Sequence, residues 1–568
     1  MKRISWRYLL AFLAALAILV YLAAPYLGWR WGVDTYIQRT TGFYATEDAA
    51  VLARVAWTDG IVAEVPEAIA PYTLELNYRD PWGDPEAELS ILPAGGRALI
   101  TVETWSAGGT TRADNPLRDV TEGRYDTLFA QFLTALPDAG RDILLRFDPN
   151  MEVPAGVLPW QQLPEPYIAA YRRFALAARR LAPRARLLWS PAGYPGALEY
   201  YPGDDVVDAA AVTYRYPGER ELNTYPREPD DGQDLYRRLH RLRFLRVPVY
   251  VLRQAETPEP DPDLQAVLDR LVAAPEGTYG IMTDTARATR PRGPGLVGVY
   301  DPGARLVDDG VVGGEHLYTD FGDLRSGHFD SAFQQVGERG HRAIVTLGPY
   351  AAEGEDALTA VCAGAYDDAL LRLYRTLGTA ELPVYLRYAQ EMEQTGAERP
   401  WQGRDPAVYI RSYRYVMDHD SLPANVTRIW GPAGERGALE YYPGDAVTDA
   451  VSVSVYGTPA EIVGDPRDPE DFEAIFRRKM WRLRFVSKPV FITECGVRGT
   501  ERFQRDWLLA AARTLRDDDR IVGVNYFNTS DVPGNVSGER AADWRISRAT
   551  LDTFAVALRA AAGDRYTE

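Results

Sequence analysis

Gly196-Ala197-Leu198-Glu199-Tyr200-Tyr201-Pro202-Gly203-Asp204 recurs without change as Gly437-Ala438-Leu439-Glu440-Tyr441-Tyr442-Pro443-Gly444-Asp445, 241 residues further along the chain. Nine identities in a row do not arise from composition, so the chain is searched first as a repeat. The same spacing pairs Leu145-Arg146-Phe147 with Leu386-Arg387-Tyr388, and Pro159-Trp160-Gln161 with Pro400-Trp401-Gln402. It pairs Trp189 with Trp430, and Pro248-Val249-Tyr250-Val251 with Pro489-Val490-Phe491-Ile492. Nearer the front the spacing is 245, with Arg97-Ala98-Leu99-Ile100 against Arg342-Ala343-Ile344-Val345. A period of about 250 residues is too long for a solenoid unit and has the size of a whole barrel domain. The copies are placed at 38–293 and 294–562, joined through the turn-forming Arg290-Pro291-Arg292-Gly293-Pro294-Gly295.

Within the second copy, short apolar runs of β type fall at 299–300, 316–318, 343–347, 384–387, 426–430, 450–455, 489–493 and 521–526. Helical patterns, such as 367–376 and 405–418, lie between several of them. Strands alternating with helices imply an α/β fold with a buried parallel sheet. Eight such units predict a (β/α)8 barrel of the TIM type, and the repeat predicts two in tandem. In these barrels the reactive residues sit at the C-terminal ends of the strands.

The remaining bulk features narrow the function. A net charge of -17 speaks against nucleic acid as a partner, because that binding depends on cationic neutralisation of phosphates. The two cysteines, Cys362 and Cys495, make no framework, and the five histidines are scattered, so neither a metal nor another cofactor is expected. Lys2, Arg3 and Arg7 precede the uncharged stretch 8–29. Those 22 residues can span a bilayer, so 1–30 is read as a membrane anchor with its N-terminus in the cytoplasm. The rest would then lie in the periplasm or outside the cell, tethered to the inner membrane. Cleavage after Ala23 and Ala24 is the competing reading.

Two glutamates of the second copy fall where a barrel places catalytic groups. Glu391 follows the run ending in Arg387, and Glu494 follows Val490-Phe491-Ile492-Thr493. A retaining glycosidase needs such a pair, one carboxyl as acid/base and one as nucleophile. Arg387, at a strand end, is too costly to bury unpaired and is expected to brace a carboxylate, Glu494 first. A surface ion pair is the alternative. Trp401 and Trp430 are candidate sugar-stacking residues, with packing the simpler role for Trp430 inside its strand.

Taken together, Arg387-Tyr388-Ala389-Gln390-Glu391-Met392, Gly396 with Pro400-Trp401, Trp430, Tyr441-Tyr442-Pro443-Gly444-Asp445 with Asp449 and Tyr456, and Ile492-Thr493-Glu494-Cys495-Gly496 resemble glycoside hydrolase family 26, the β-mannanase family of retaining (β/α)8 glycosidases. The resemblance implies that Glu391 is the acid/base, Glu494 the nucleophile and Tyr456 a hydrogen-bond partner of that nucleophile. This chain departs from the family's pattern at Gln390, where a histidine is usual, at Glu393-Gln394-Thr395 in place of Asn-Gly, and at Glu398 in place of a tryptophan. These positions line the sugar subsites, so mixed-linkage β-glucan or a bacterial exopolysaccharide stands beside mannan as substrate.

At the constant spacing, Glu391 corresponds to Asn150, Tyr456 to Arg215 and Glu494 to Arg253. Asparagine is no proton donor of useful strength and arginine no nucleophile, so the first copy is read as catalytically inert. Its arginines could bind an acidic glycan, or the copy could be a structural prop. The expectation is a membrane-anchored retaining endo-β-glycanase, with polysaccharide synthesis or export machinery as possible partners. The rival is a non-catalytic glycan-binding or scaffold component of such machinery.

Overall fold

The structure is a computed structural model. It describes most of residues 48–564. It leaves aside 58–66, 105–114, 137–140, 154–157, 215–230, 352–354, 395–398, 460–470 and 532–541, nearly all of 77–95 and 255–295, and a few single positions. The expected anchor at 1–30 therefore lies outside the described residues. Among those described, no helix is long and apolar enough to cross a membrane. The chain separates into two compact units, Met1–Ala273 and Ala274–Glu568.

The second unit is a closed barrel of eight parallel strands. They are β8 (Leu296–Tyr300), β9 (Gly314–Asp320), β10 (Arg342–Gly348), β11 (Val384–Tyr388), β12 (Val426–Trp430), β13 (Ala450–Gly457), β14 (Val490–Val497) and β15 (Ile521–Phe527), each paired with its neighbour in sequence and β15 closing on β8. All eight apolar runs expected from sequence are strands. Helices cover the outside, and their starts are chemically marked. Asp405 accepts from the amide of Ala407 with Pro406 in the first turn, and Asp471 caps Phe472–Arg482 in the same way through Ala474. The lower barrel is filled by Leu296, Ile344, Ile429, Ala450 and Phe491, with Tyr385 and Val522 packed against them.

The first unit also closes a barrel, but of seven described strands. They are β1 (Asp48–Val55), β2 (Glu67–Glu75), β3 (Gly96–Glu103), β4 (Arg141–Phe147), β5 (Arg186–Trp189), β6 (Ala209–Tyr214) and β7 (Val249–Gln254). Strands β2 to β7 are parallel, whereas β1 is antiparallel to both β2 and β7. The expected (β/α)8 arrangement is thus not met among the described residues of this unit. Only residues 56–66 join β1 to β2. A parallel crossover needs a dozen residues or more, so this short link returns the chain antiparallel. Ile69, Leu99, Leu144, Leu188, Ala209, Ala211, Tyr250 and Leu252 form an apolar cluster in this unit.

Candidate active site

Above its apolar floor, the second barrel carries a layer of polar side chains. Arg387 on β11 is fully buried, and its nitrogens are committed. Nε donates to Thr346 Oγ1 (2.9 Å), Nη1 to Thr493 Oγ1 (2.7 Å) and Nη2 to Glu494 Oε1. Thr493 in turn donates to Ser452 Oγ at 3.0 Å. His316 on β9 meets Thr346 Oγ1 through Nε2 (2.7 Å), and its Nδ1 faces Asn525 Nδ2 at 3.0 Å. Asn525 Nδ2 also donates to the carbonyl of Thr493 (3.1 Å), which fixes the amide's orientation and makes Nδ1 of the imidazole an acceptor. Burial, aided by the Arg387 charge, lowers the His316 pKa to about 3, so the ring is neutral around pH 7.

Thr493 and Glu494 are consecutive, and both bind the same guanidinium. Regular strands send adjacent side chains to opposite faces. Here β14 carries one extra residue against both neighbours. Ser452 pairs with Phe491 and Ser454 with Glu494 on one side, while Ile492 pairs with Val524 and Cys495 with Tyr526 on the other. This β-bulge turns both side chains inward. Glu494 therefore lies within a strand, not beyond its end as its sequence suggested.

Around Glu494, Tyr318 donates to Oε1 at 2.8 Å and Tyr456 to Oε2 at 2.9 Å. Burial opposes its charge, but the cations of Arg387 and Arg399 prevail and hold the carboxyl down to about 2. Burial first, then the Glu494 charge, pushes both tyrosines well above their ordinary range, so they remain phenolic donors.

Glu391 stands three residues past β11 in a left-handed turn (φ 57°). For a residue with a Cβ that conformation is unfavourable by about 1–2 kcal/mol, and its surroundings hold it. The Glu391 amide donates to the Gly431 carbonyl (2.8 Å), and Gln402 Nε2 donates to the Glu391 carbonyl (3.2 Å). The carboxylate then accepts from Ser454 Oγ at 2.7 Å and from Arg399 Nη1 at 2.8 Å. Ser454 links the two acids, since its backbone pairs with Glu494 and its hydroxyl binds Glu391.

Of the residues expected from sequence, Glu391, Glu494, Arg387 and Tyr456 meet in this cluster. Gln390 is buried beside it, and its Oε1 makes no hydrogen bond among the described residues. The expectation that Trp401 and Trp430 stack sugars is corrected. Both rings are fully buried, Trp401 donating to the Gln390 carbonyl (2.8 Å) and Trp430 packing edge-on against Tyr442. Each closes the wall beneath the turn and offers no open face. An exposed aromatic beside this wall is Tyr350, 46% accessible just past β10 and edge-on to Trp401 at 5.0 Å. Sequence reasoning also missed Tyr318, Arg399, Ser454, Thr493, Thr346 and His316. Comparing the copies position by position would have flagged some of them, because Arg399 faces Leu158, Thr493 faces Leu252 and Ser454 faces Thr213.

The first unit keeps the frame around the same turn. Asn150 has φ 59°, its amide donates to the Ser190 carbonyl (3.0 Å) and Gln161 Nε2 reaches its carbonyl (3.1 Å). Trp160 Nε1 donates to the Pro149 carbonyl at 2.8 Å, and Arg146 Nε to Thr101 Oγ1 at 2.9 Å. Glu152 and Glu393, equivalent and buried, each accept two consecutive amides, Gly193 and Tyr194 in one unit and Gly434 and Glu435 in the other. What differs is the pairing of β7. It runs in unbroken register with β6 from Val249 to Arg253, without the bulge of β14. Arg215 and the side chain of Arg253 lie outside the described residues, so the expected positive mouth is not described.

No family model matches the chain. Among curated proteins, it is 29% identical over 144 residues to a β-1,3-xylanase of a Vibrio species, covering 24% of this chain and 28% of that one. A β-1,3-xylanase of an Alcaligenes species is 28% identical over 142 residues, 24% of this chain and 27% of that one. The matches thus span little more than a quarter of these relatives. Solved structures similar to this chain include a β-mannanase from a symbiotic protist of the termite Reticulitermes speratus, at 16% identity and TM-score 0.30, covering 53% of this chain and 93% of that one. Another is an endo-β-1,3-glucanase from Sorangium cellulosum, at 14% identity and TM-score 0.28, covering 46% of this chain and 97% of that one.

Proposed function

We propose that the second unit is a retaining glycoside hydrolase acting on a β-linked polysaccharide. The observation that carries this reading is the unequal treatment of two buried glutamates at the C-terminal end of one barrel. Glu494 is held anionic and oriented by Arg387, Tyr318 and Tyr456. In this mechanism it attacks the anomeric carbon and forms a covalent glycosyl-enzyme. Glu391, on the turn after β11, enters the first step as the protonated acid, gives that proton to the leaving oxygen, and as the resulting carboxylate takes one from water when the intermediate is hydrolysed. As negative charge leaves Glu494, Tyr456 and Tyr318 remain to hold its orientation. Ser454 keeps the acid/base carboxyl in place beside it.

The short matches to β-1,3-xylanases make β-1,3-xylan the first polymer to test, ahead of mannan, glucomannan and mixed-linkage glucan. The uncharged stretch 8–29 supports tethering to the inner membrane, with the barrels on its outer side and polysaccharide synthesis or export machinery as a partner. The test is reducing-end release by the chain across these polymers, beside Glu391→Gln and Glu494→Gln, with the anomeric configuration of the first product read by NMR. Release with retained configuration that disappears in Glu494→Gln supports the proposal. Release that persists in both variants would overturn it.

A further inference from the structure

The geometry points to Arg399 as a specificity residue that binds an oxyanion substituent, a sugar carboxylate first, on the glycan held in this cleft. The inference rests on the reading that the cleft takes a glycan, and it adds the charge of that glycan. The two guanidiniums of the site differ in what they leave free. Arg387 is wholly buried, with all three nitrogens engaged. Arg399 is partly open, its side chain 26% accessible, and only Nη1 is used, by Glu391 Oε2.

Its Nε and Nη2 make no hydrogen bond among the described residues. These two nitrogens form one edge of the planar fork, the edge that receives a carboxylate through two parallel hydrogen bonds. A second carboxylate can dock there without displacing Glu391. The charge lies beside the paired glutamates, since Nη1 holds Glu391 Oε2 at 2.8 Å. A neutral glycan would offer that edge only hydroxyls, which a guanidinium binds less strongly than a carboxylate, and a guanidinium that only braced Glu391 could be buried as Arg387 is. In the first unit, which lacks the paired glutamates, the equivalent residue is the buried Leu158.

The test measures binding, not turnover. The intact chain with Glu494→Gln is titrated with a neutral β-linked xylo-oligosaccharide and with the same backbone bearing one uronic acid, then one sulfate. The acidic ligand should bind about 10-fold tighter at low salt, with the preference shrinking as salt rises. Arg399→Gln should bring the ratio of acidic to neutral affinity close to one, whatever its effect on the absolute affinity for either ligand. Arg399→Lys, which keeps charge but not the two-nitrogen edge, should lose most of the preference for carboxylate. A sulfate preferred over the carboxylate would move the assignment to sulfated glycans at the same edge. Equal binding of neutral and acidic ligands by the parent, or a preference that survives Arg399→Gln, would overturn the inference. Binding of neither ligand would instead remove the glycan reading beneath it.

Discussion

The two units hold the same turn in the same way and put different chemistry on it. Asn150 and Glu391 share a left-handed backbone, an amide hydrogen bond to the carbonyl just past the next strand, a glutamine reaching their carbonyl and a tryptophan closing the wall. The contrast lies in the layer beneath. Around Arg387 stand Thr346, Thr493, His316 and Ser452. The positions of Thr493 and Ser452 in the first unit are Leu252 and Ala211, part of an apolar cluster. A buried carboxylate such as Glu494 is thus not an addition to a finished barrel. It requires a buried cation, and that cation requires acceptors for each of its donors.

The sharpest way to break this comparison is to exchange the nucleophile position. Glu494→Gln should lower turnover by on the order of 10⁴-fold or more, as loss of a covalent nucleophile does. The reciprocal Arg253→Glu should give the first unit no activity, since β7 lacks the bulge, Leu252 and Ala211 replace Thr493 and Ser452, and Asn150 stands at the position of Glu391. Product from an Arg253→Glu, Glu494→Gln chain would show that neither this layer nor an acid at position 150 is needed.

A smaller effect is expected from Thr493→Leu, which installs the first unit's residue. It leaves one buried guanidinium nitrogen unsatisfied, a loss of about 1–3 kcal/mol. Stability should fall by that amount, and kcat by about 10-fold or more as Arg387 loosens its hold on Glu494. Thr493→Ser, which keeps the acceptor, should recover most of both. Thermal melts and initial rates on one preparation check this.

The comparison sharpens at Glu393, retained in both units. Burial raises its pKa to about 7, above its ordinary 4.5. A group whose folded pKa is raised stabilises fully below its unfolded pKa, and the contribution is lost as pH rises to the folded one. Stability should therefore decline between about pH 4.5 and 7, by at most ~1.4 kcal/mol per pH unit from this residue. Glu393→Gln mimics the protonated acid, keeps an oxygen for the Gly434 and Glu435 amides, and should flatten that decline. An unchanged pH profile of the melting temperature would contradict this. Glu152, raised in the same direction by burial, predicts the same for the first unit. The smallest effect is expected at the lip, where Tyr350→Ala should raise KM about 3- to 10-fold with little change in kcat, consistent with about 1 kcal/mol for one aromatic contact.

Much of this arrangement was legible in the chain itself. Eight apolar runs gave the eight strands of the second unit because buried parallel strands leave a plain hydrophobic mark. Glu391, Glu494, Arg387 and Tyr456 were found because they fall at or near strand ends in a repeat whose other copy has lost three of them. The antiparallel β1 was missed because strand direction is set by the length of a link, not by the composition of the strand. Tyr318 and Ser454 were missed because a tyrosine or serine inside an apolar run reads as ordinary strand content. Trp401 and Trp430 were misjudged for a related reason. An aromatic ring carries no mark in sequence of whether its face is open or covered.

The bulge in β14 has a further consequence for descent. A strand pairs with its neighbour at one step or at the next, and no half-step exists. Point substitutions can grade the strength of an acid or the fit of a pocket, one small change after another. They cannot grade a ladder's phase. Between the pairing of β14 and that of β7 there is therefore a discontinuity that side-chain exchange does not cross by degrees. The first unit accordingly differs at the positions of Glu391 and Glu494 while it keeps the frame around its turn.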